Sequence, residues 1–103
     1  MNNPQYMSGT GNNFLVSEYE NSKTDIEIIS IVADSLFDID GVIYVEKIDS
    51  LTVKMHYYNN DGSTAELCVN GIRCVAKYAL DNSIVDSNEV TVVAPIGNIK
   101  TNI

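Results

Sequence analysis

A cysteine just before a predicted helix is the strongest candidate for chemistry in this sequence. Cys68 lies in the segment ELCVNGIRC, two residues before Asn70, which best fits the N-cap of the helix that follows. The unpaired main-chain amides and the positive end of a helix dipole favour a thiolate there. Glu66 and the negative charge of the chain oppose a second anion. Position alone therefore leaves two interpretations of Cys68: a reactive base or nucleophile, or a small buried hydrophobe.

Few other residues could share such chemistry. Cys74 lies inside the predicted helix, away from its unpaired amides, so packing is its favoured role. Six residues of helix turn the chain by about 240°, which directs the two sulfurs to different faces and disfavours a bond between them. His56 is the only histidine, so one copy of the chain cannot build a zinc cluster or a histidine-rich active site. We therefore expect no metal site.

The composition indicates one folded domain that binds neither nucleic acid nor membranes. The chain has 103 residues, 45% of them hydrophobic and 19% charged, which suits a single core and argues against disorder. Six basic and fourteen acidic side chains give a formal net charge of -8, which opposes binding to nucleic-acid phosphates or anionic membranes. The sequence contains no apolar run of about 18 residues and no secretory signal, so we expect a cytoplasmic location.

Helical periodicity predicts the elements that would position Cys68. Five apolar side chains recur at helical spacing in NGIRCVAKYAL and make it the clearest amphipathic helix: Ile72, Val75, Ala76, Ala79 and Leu80. A second helix is predicted from Thr24, because its pairing with Glu27 fits a capping box. The crowded isoleucines that follow also suit a strand, so both alternatives stay open for that segment.

Alternation and turn residues predict the strands. They are residues 14–16, 41–48, 51–58, 89–94 and 98–103. Residues 51–58 alternate cleanly between apolar and polar side chains, which is typical of a strand with one buried face. Clusters of turn-forming residues lie at 8–13, 49–50, 59–63 and 95–98. The second and third strands therefore form a predicted hairpin, and the chain ends on a strand whose edge needs a cover or a partner.

Three motifs in order resemble the amino-terminal half of the diaminopimelate epimerase family. MSGTGNNF, residues 7–14, is similar to the family pattern Gly-x-Gly-Asn-Asp-Phe, and YYNNDGSTAELCVNGIRC, residues 57–74, to Phe-Asn-x-Asp-Gly-Ser followed by Cys-Gly-Asn-Gly-x-Arg-Cys. The resemblance covers nearly the whole chain. It implies an α+β fold, one lobe in which a mixed, mostly antiparallel sheet wraps around a central helix. Residues 1–103 would be a single amino-terminal lobe, with the carboxy-terminal lobe absent.

The resemblance also implies an activity, which is cofactor-independent inversion at an amino-acid α-carbon. In this family the reaction interconverts LL- and meso-diaminopimelate for lysine biosynthesis. Two cysteines on opposite faces of the carbon act on it, one as thiolate base and one as thiol acid, and Cys68 matches the first. Five positions match the substrate-binding residues: Asn12 and Asn59 for the remote amino-acid end, and Val69, Asn70 and Gly71 for the carboxylate turn.

The sequence departs from the family pattern at four points. Val69 replaces a glycine, and Asn13 replaces an aspartate. The stretch that ends at Asp40 and Gly41 is short and lacks the family's arginine and histidine. The fourth departure is length, because the lobe that supplies the second cysteine has no counterpart here. A single copy is therefore expected to hold half of a catalytic apparatus.

Three hypotheses follow for the function. In the first, the chain is half of a diaminopimelate epimerase that binds its amino-acid substrate weakly and does not turn over alone. In the second, two copies associate as a racemase of another amino acid, with one Cys68 from each subunit. In the third, the chain is a non-catalytic binding or interaction module that keeps the lobe. A second lobe or a second copy is the partner that the first two require.

Overall fold

Six strands and one helix make up the part of the chain that the computed structural model describes, which is residues 2–9, 11–19, 31, 38–61, 63, 69–95 and 97–103. The strands are β1 (Asn2–Gly9), β2 (Asn12–Glu18), β3 (Gly41–Asp49), β4 (Thr52–Asn59), β5 (Glu89–Ala94) and β6 (Gly97–Asn102). The helix, α1, is Val69–Asp81. The hairpin, the amphipathic helix and the last two strands of the sequence prediction are thereby confirmed to within one residue.

The strands form one mixed sheet in which neighbours along the chain are also neighbours in space, from β1 to β6. The pairs β1–β2, β3–β4 and β5–β6 are antiparallel. The pairs β2–β3 and β4–β5 are parallel, so each needs a crossover, and α1 provides the second. The helix packs against β1 to β5. These findings confirm the predicted α+β class with a mixed, mostly antiparallel sheet around a helix.

The main core lies between α1 and one face of the sheet. The buried apolar helix residues are Ile72, Cys74, Val75, Ala76, Tyr78 and Ala79. They pack against sheet residues Phe14, Val16, Ile43, Val45, Val53, Met55, Val90, Val92 and Ala94. Each large apolar side chain buried in this way contributes about 1.5 to 3 kcal/mol of transfer free energy. The buried helix face contains four of the five predicted positions and is widened by Cys74 and Tyr78, whereas Leu80 packs half-buried against the core.

A second cluster covers the opposite face of the central strands. Leu15, Ile39, Val42 and Tyr44 form it, with the half-buried Tyr19, Ile31 and Tyr58 packed around them. The helix predicted from Thr24 lies outside the described residues, apart from Ile31, which is helical. Strands β2 and β3 are consequently buried on both faces, which holds them rigidly in the middle of the sheet.

The amino-terminal strand is the main difference from the sequence prediction. Residues 8–13 were expected to form a turn cluster, but residues 8–9 belong to β1 and residues 12–13 to β2, with Gly9 paired to Asn12. Gly11 lies in the turn between the two strands and has a φ of 78°, in the left-handed region that favours glycine. The prediction failed because Asn, Ser and Gly are poor strand formers whose conformation here is set by pairing.

The carboxyl end of α1 is closed by a Schellman motif. The Ser83 N–H donates to the Leu80 carbonyl at 3.2 Å, and the Ile84 N–H donates to the Ala79 carbonyl at 2.9 Å. Ser83 has a φ of 58°, the left-handed conformation usually taken by glycine at this position. The motif satisfies two carbonyls at the helix end and turns the chain toward β5.

Candidate active site

Two of the predicted substrate-binding residues lie at one end of the sheet and on one face of it. Asn12 begins β2, Asn59 ends β4, and β3 lies between them with Gly41 at its start. Gly41 is paired with Asn59 on one side and with Phe14 on the other. Phe14 and Tyr57 face α1, so alternation along the strands directs Asn12 and Asn59 to the helix side as well.

The helix N-terminus is directed to the same end of the sheet. After α1 ends at Asp81, the Asp86 N–H donates to the Ser50 carbonyl at 3.2 Å, and Ser50 lies in the β3–β4 turn at the opposite end of the strands. Because α1 packs along the sheet from β1 to β5, its first turn lies toward the end that carries Asn12 and Asn59. The topology therefore directs the first turn of α1 to the end of the sheet that carries Asn12 and Asn59.

The first turn of α1 contains the residues that match the carboxylate-binding turn. The helix begins at Val69, so Asn70 is its second residue rather than the predicted N-cap, and Gly71 is buried. The first turn carries no acidic side chain, so no carboxylate in it competes for the helix-terminal amides. Cys68 lies outside the described residues; in sequence it directly precedes this turn, and its role stays a prediction.

Gly41 leaves no room for a side chain between the two asparagine-bearing strands. A β-carbon at this position would lie 2.7 Å from the Tyr57 hydroxyl oxygen and 2.8 Å from the Tyr58 carbonyl oxygen. The Tyr57 ring lies edge-on against Phe14, with ring centroids 5.8 Å apart. The missing side chain thus lets the Tyr57 ring lie over β3 on the helix side of the candidate site.

The turn after β4 fixes the orientation of Asn59. Its Nδ2 donates to the Ser63 Oγ at 3.0 Å, and its N–H donates to the Ser63 carbonyl at 2.7 Å. The Asp61 Oδ1 in turn accepts from the Ser63 hydroxyl at 2.6 Å and from the Ser63 N–H at 2.9 Å. These two bonds, the hydroxyl first, lower the pKa of Asp61 below its usual value. The predicted turn over residues 59–63 is confirmed by these contacts.

A second group of hydrogen bonds surrounds Asp40, next to Gly41. The Asp40 Oδ2 accepts from the Asn13 N–H at 2.9 Å, and the Asp40 N–H donates to the Asn13 carbonyl at 2.8 Å. The Asn13 Oδ1 accepts from the Ser8 hydroxyl at 2.8 Å, and its Nδ2 approaches the Asp38 carbonyl at 3.5 Å. Asn13 and Asp40 are 27 residues apart, and no pattern in the sequence predicts their contact.

Cys74 is a packing residue, as predicted. It is 6% exposed and belongs to the core between α1 and the sheet. A thiol in apolar surroundings favours its neutral form and is a poor base.

The only histidine lies on the other face of the sheet. His56 is paired with Tyr44, which belongs to the second cluster, and its ring stacks on Tyr19 with centroids 4.1 Å apart. Its Nε2 lies 2.8 Å from the Glu46 Oε1. His56 and the candidate site are thus on opposite faces, which gives the histidine a packing role.

Other features of the described residues contribute no chemistry to the site. A surface cleft of about 520 Å³ lies at the far end of the sheet, between Leu51 and strands β5 and β6, and contains none of the candidate residues. In the described ranges, no three His, Cys, Asp or Glu side chains are grouped to hold a metal ion. No helix within those ranges is long and apolar enough to cross a membrane.

Comparison with known proteins assigns the chain to a family. Residues 5–103 match the family model described as diaminopimelate epimerase. A diaminopimelate epimerase of Agathobacter rectalis is 42% identical over 95 residues, which cover 88% of this chain and 33% of that protein. The diaminopimelate epimerase of Clostridium acetobutylicum is 38% identical, over 80% of this chain and 27% of its own length. That of Bacillus mycoides is 36% identical, over 84% of this chain and 32% of its own length.

The chain spans about a third of the length of these relatives. The match nevertheless covers most of the described sheet and all of α1. The resemblance seen in the three sequence motifs is therefore confirmed, and the chain belongs to the diaminopimelate epimerase family.

Proposed function

We propose that this chain supplies one half of the active site of a cofactor-independent amino-acid epimerase that interconverts LL- and meso-diaminopimelate. Cys68 is the proposed base or acid, Val69, Asn70 and Gly71 bind the α-carboxylate, and Asn12 and Asn59 hold the remote end of the substrate. Residues 1–103 would constitute the amino-terminal lobe. Lysine biosynthesis is the corresponding pathway, and a cytoplasmic location suits it because thiols stay reduced there.

One structural observation carries the proposal. Asn12 and Asn59 face α1 at the end of the sheet toward which the first turn of the helix is directed. A substrate between them would have polar amide groups at one end and the helix-terminal N–H groups at the other. This matches the needs of an amino acid whose α-carboxylate and remote end must both be held.

The proposed reaction removes a proton from the α-carbon of the substrate and returns one to its opposite face. The Cys68 thiolate takes the α-proton, so the Cα–H bond breaks, an S–H bond forms, and the electron pair moves into the carboxylate. Helix-terminal N–H groups stabilise the charge that accumulates on the carboxylate oxygens. A second thiol then donates a proton to the opposite face of the carbon and becomes a thiolate. In the reverse direction the two sulfurs exchange roles.

The second thiol must come from outside this lobe, because Cys74 is buried in the core. Family relatives are about three times as long as this chain, so a second lobe is the expected source. A second copy of the chain is the alternative, and it would contribute its own Cys68 across a two-fold axis.

The reactivity of Cys68 tests the proposal directly. We expect iodoacetamide to alkylate Cys68 with a pH midpoint below the ~8.5 of an unperturbed thiol. The rate is measured by mass spectrometry of the peptide that contains each cysteine, with Cys74 as the internal control. An ordinary midpoint for Cys68, together with no binding of diaminopimelate, would favour the non-catalytic module and contradict the proposal.

Deuterium exchange at carbon tests the chemistry. LL-diaminopimelate is incubated with the chain in D₂O, and α-deuterium and configuration are followed by NMR and chiral chromatography. One thiolate can exchange the α-proton without inversion, so slow exchange that Cys68→Ser abolishes and Cys74→Ala preserves supports the half-site. Inversion by a verified dimer would identify two copies as the complete enzyme. If the substrate binds but no α-deuterium is incorporated, Cys68 is ruled out as the base.

A further inference from the structure

Asp40 directly precedes β3, which lies between the two strands that carry the proposed substrate-binding asparagines, and it is hydrogen-bonded to Asn13 of β2 and to Asn60, the residue after β4. Its carboxylate and N–H bond the main chain of Asn13, at 2.9 and 2.8 Å. Its carbonyl accepts from the Asn60 N–H at 3.2 Å, and the Asn60 Nδ2 approaches the neighbouring Ile39 carbonyl at 3.4 Å. One residue thus connects the start of β2 to the end of β4.

The bond to Asn13 acts on Asn12 through the peptide plane. The Asn13 N–H is part of the planar unit that begins at the Asn12 carbonyl, so fixing this N–H fixes the ψ angle of Asn12. The paired register of β2 and β3 begins at Phe14 and Gly41. β2 is paired with β1 from Asn12 onward, and the Asp40 carboxylate extends its contacts on the β3 side by one residue, to Asn13.

We propose that Asp40 is a positioning residue: its carboxylate sets the orientation of Asn12, and its main chain holds the strand end that carries Asn59. The Asp40 side chain contributes only to the position of Asn12, because Asn60 is hydrogen-bonded by main-chain carbonyl oxygens. The expected effect of Asp40 on substrate binding rests on the proposed function, whereas its expected effect on the conformation of Asn12 does not.

A ligand-free measurement tests the positioning itself. Asp40→Ala removes the acceptor, and loss of one such bond is expected to lower the hydrogen-exchange protection of the Asn13 amide about fivefold. Asp40→Asn keeps an oxygen at the same place and is expected to restore most of this protection. Asp38→Ala is the matched control, because Asp38 contacts Asn13 through its main-chain oxygen. Unchanged protection in Asp40→Ala would overturn the inference, even if diaminopimelate does not bind.

A second measurement separates positioning from general loss of structure. In Asp40→Ala we expect weaker binding of diaminopimelate, about fivefold, with an unchanged alkylation profile of Cys68. Equal losses of ligand affinity, Cys68 reactivity and thermal stability would assign Asp40 a purely structural role. Wild-type affinity in Asp40→Ala would overturn the inference. Failure of the wild-type chain to bind would instead count against the proposed function.

Discussion

The imidazole of His56 and the carboxylate of Glu46 lie 2.8 Å apart, on the face of the sheet opposite α1. The only histidine of the sequence is therefore on the opposite face of the sheet from the candidate site. An enzyme that acts through two thiols does not need an imidazole base, and the structure is consistent with that chemistry.

We therefore expect His56→Gln to affect stability and not the site. Loss of the Tyr19 stack and of the Glu46 hydrogen bond should lower the free energy of unfolding by about 1 kcal/mol. The pH profile of Cys68 alkylation should stay at its wild-type position. Urea unfolding gives the first quantity and mass spectrometry the second. A shift in the pH profile of Cys68 alkylation would mean that His56 affects the thiol, and it would contradict the assignment of His56 and the candidate site to opposite faces of the sheet.

Gly41→Ala should destabilise the protein by about 1 to 3 kcal/mol, because the new methyl group overlaps Tyr57 and the Tyr58 carbonyl. Thermal unfolding measures the loss. Gly11 provides a contrast: a β-carbon there meets no atom within 4 Å, and only its φ of 78° opposes a side chain.

Asparagine tolerates the left-handed conformation, so the two glycines should respond differently to it. Gly11→Asn should be close to wild type in stability, whereas Gly41→Asn should be at least as damaging as Gly41→Ala. Wild-type stability for Gly41→Ala would mean that β3 and β4 can separate at this point.

Ser83→Gly should stabilise the protein by about 0.5 to 1 kcal/mol. Ser83 has a φ of 58° in the Schellman motif, and glycine adopts that conformation without the steric cost of a β-carbon. Chemical denaturation measures the gain. Ser83→Ala is the control, since it keeps the β-carbon and should produce little change. Equal stability of the glycine and alanine variants would contradict this account.

The stability of the protein should fall between about pH 10 and pH 12 through Tyr78. Burial, the first cause, and the nearby Glu18 carboxylate raise the pKa of Tyr78 from its usual 10.0 to about 12. The folded state then retains a proton that the unfolded state has lost. The stabilising contribution is complete below pH 10 and disappears as the pH rises through the folded pKa.

Tyr78→Phe tests this assignment. The difference in free energy of unfolding between wild type and Tyr78→Phe should decrease over that pH window, as measured by urea titrations at successive pH values. A constant difference would show that another group titrates. Glu18→Gln should make the fall smaller and end it at a slightly lower pH, because it removes the second cause of the raised pKa in the folded state.

The elements with strong periodicity could be predicted from sequence. The spacing of Ile72, Val75 and Ala79 requires one buried helical face, and all three residues are buried. The alternation over residues 51–58 requires one buried strand face: Val53 and Met55 are buried, whereas Leu51 lies in the turn before β4 and is 46% exposed. Strand β1 could not be predicted, because most of its residues, Asn, Pro, Ser and Gly among them, have little strand preference, and Pro4 is tolerated only because it lies near the start of an outer strand. Its conformation depends on pairing with β2.

The residue types of the candidate site come from the sequence motifs, and its arrangement follows only partly from the sequence. Motif resemblance selected Asn12 and Asn59, and the structure brings both to one end and one face of the sheet. The bonds of Asp40 were missed, because they depend on β2 and β3 being parallel neighbours, and no local pattern specifies that pairing. A hydrogen-bonding side chain directly before a strand, as in Asp40-Gly41, was the available sequence signal.

The strand order has a consequence for how the protein folds. Its six strands are three successive hairpins, each closed by a short turn, whereas the parallel contacts that join the hairpins close longer stretches of chain. Local hairpins form in microseconds, and contacts between distant segments form later. Asn12 belongs to the first hairpin and Asn59 to the second. A ligand that contacts both asparagines would bind only after the two hairpins have docked. Its binding would therefore stabilise the native state relative to late folding intermediates.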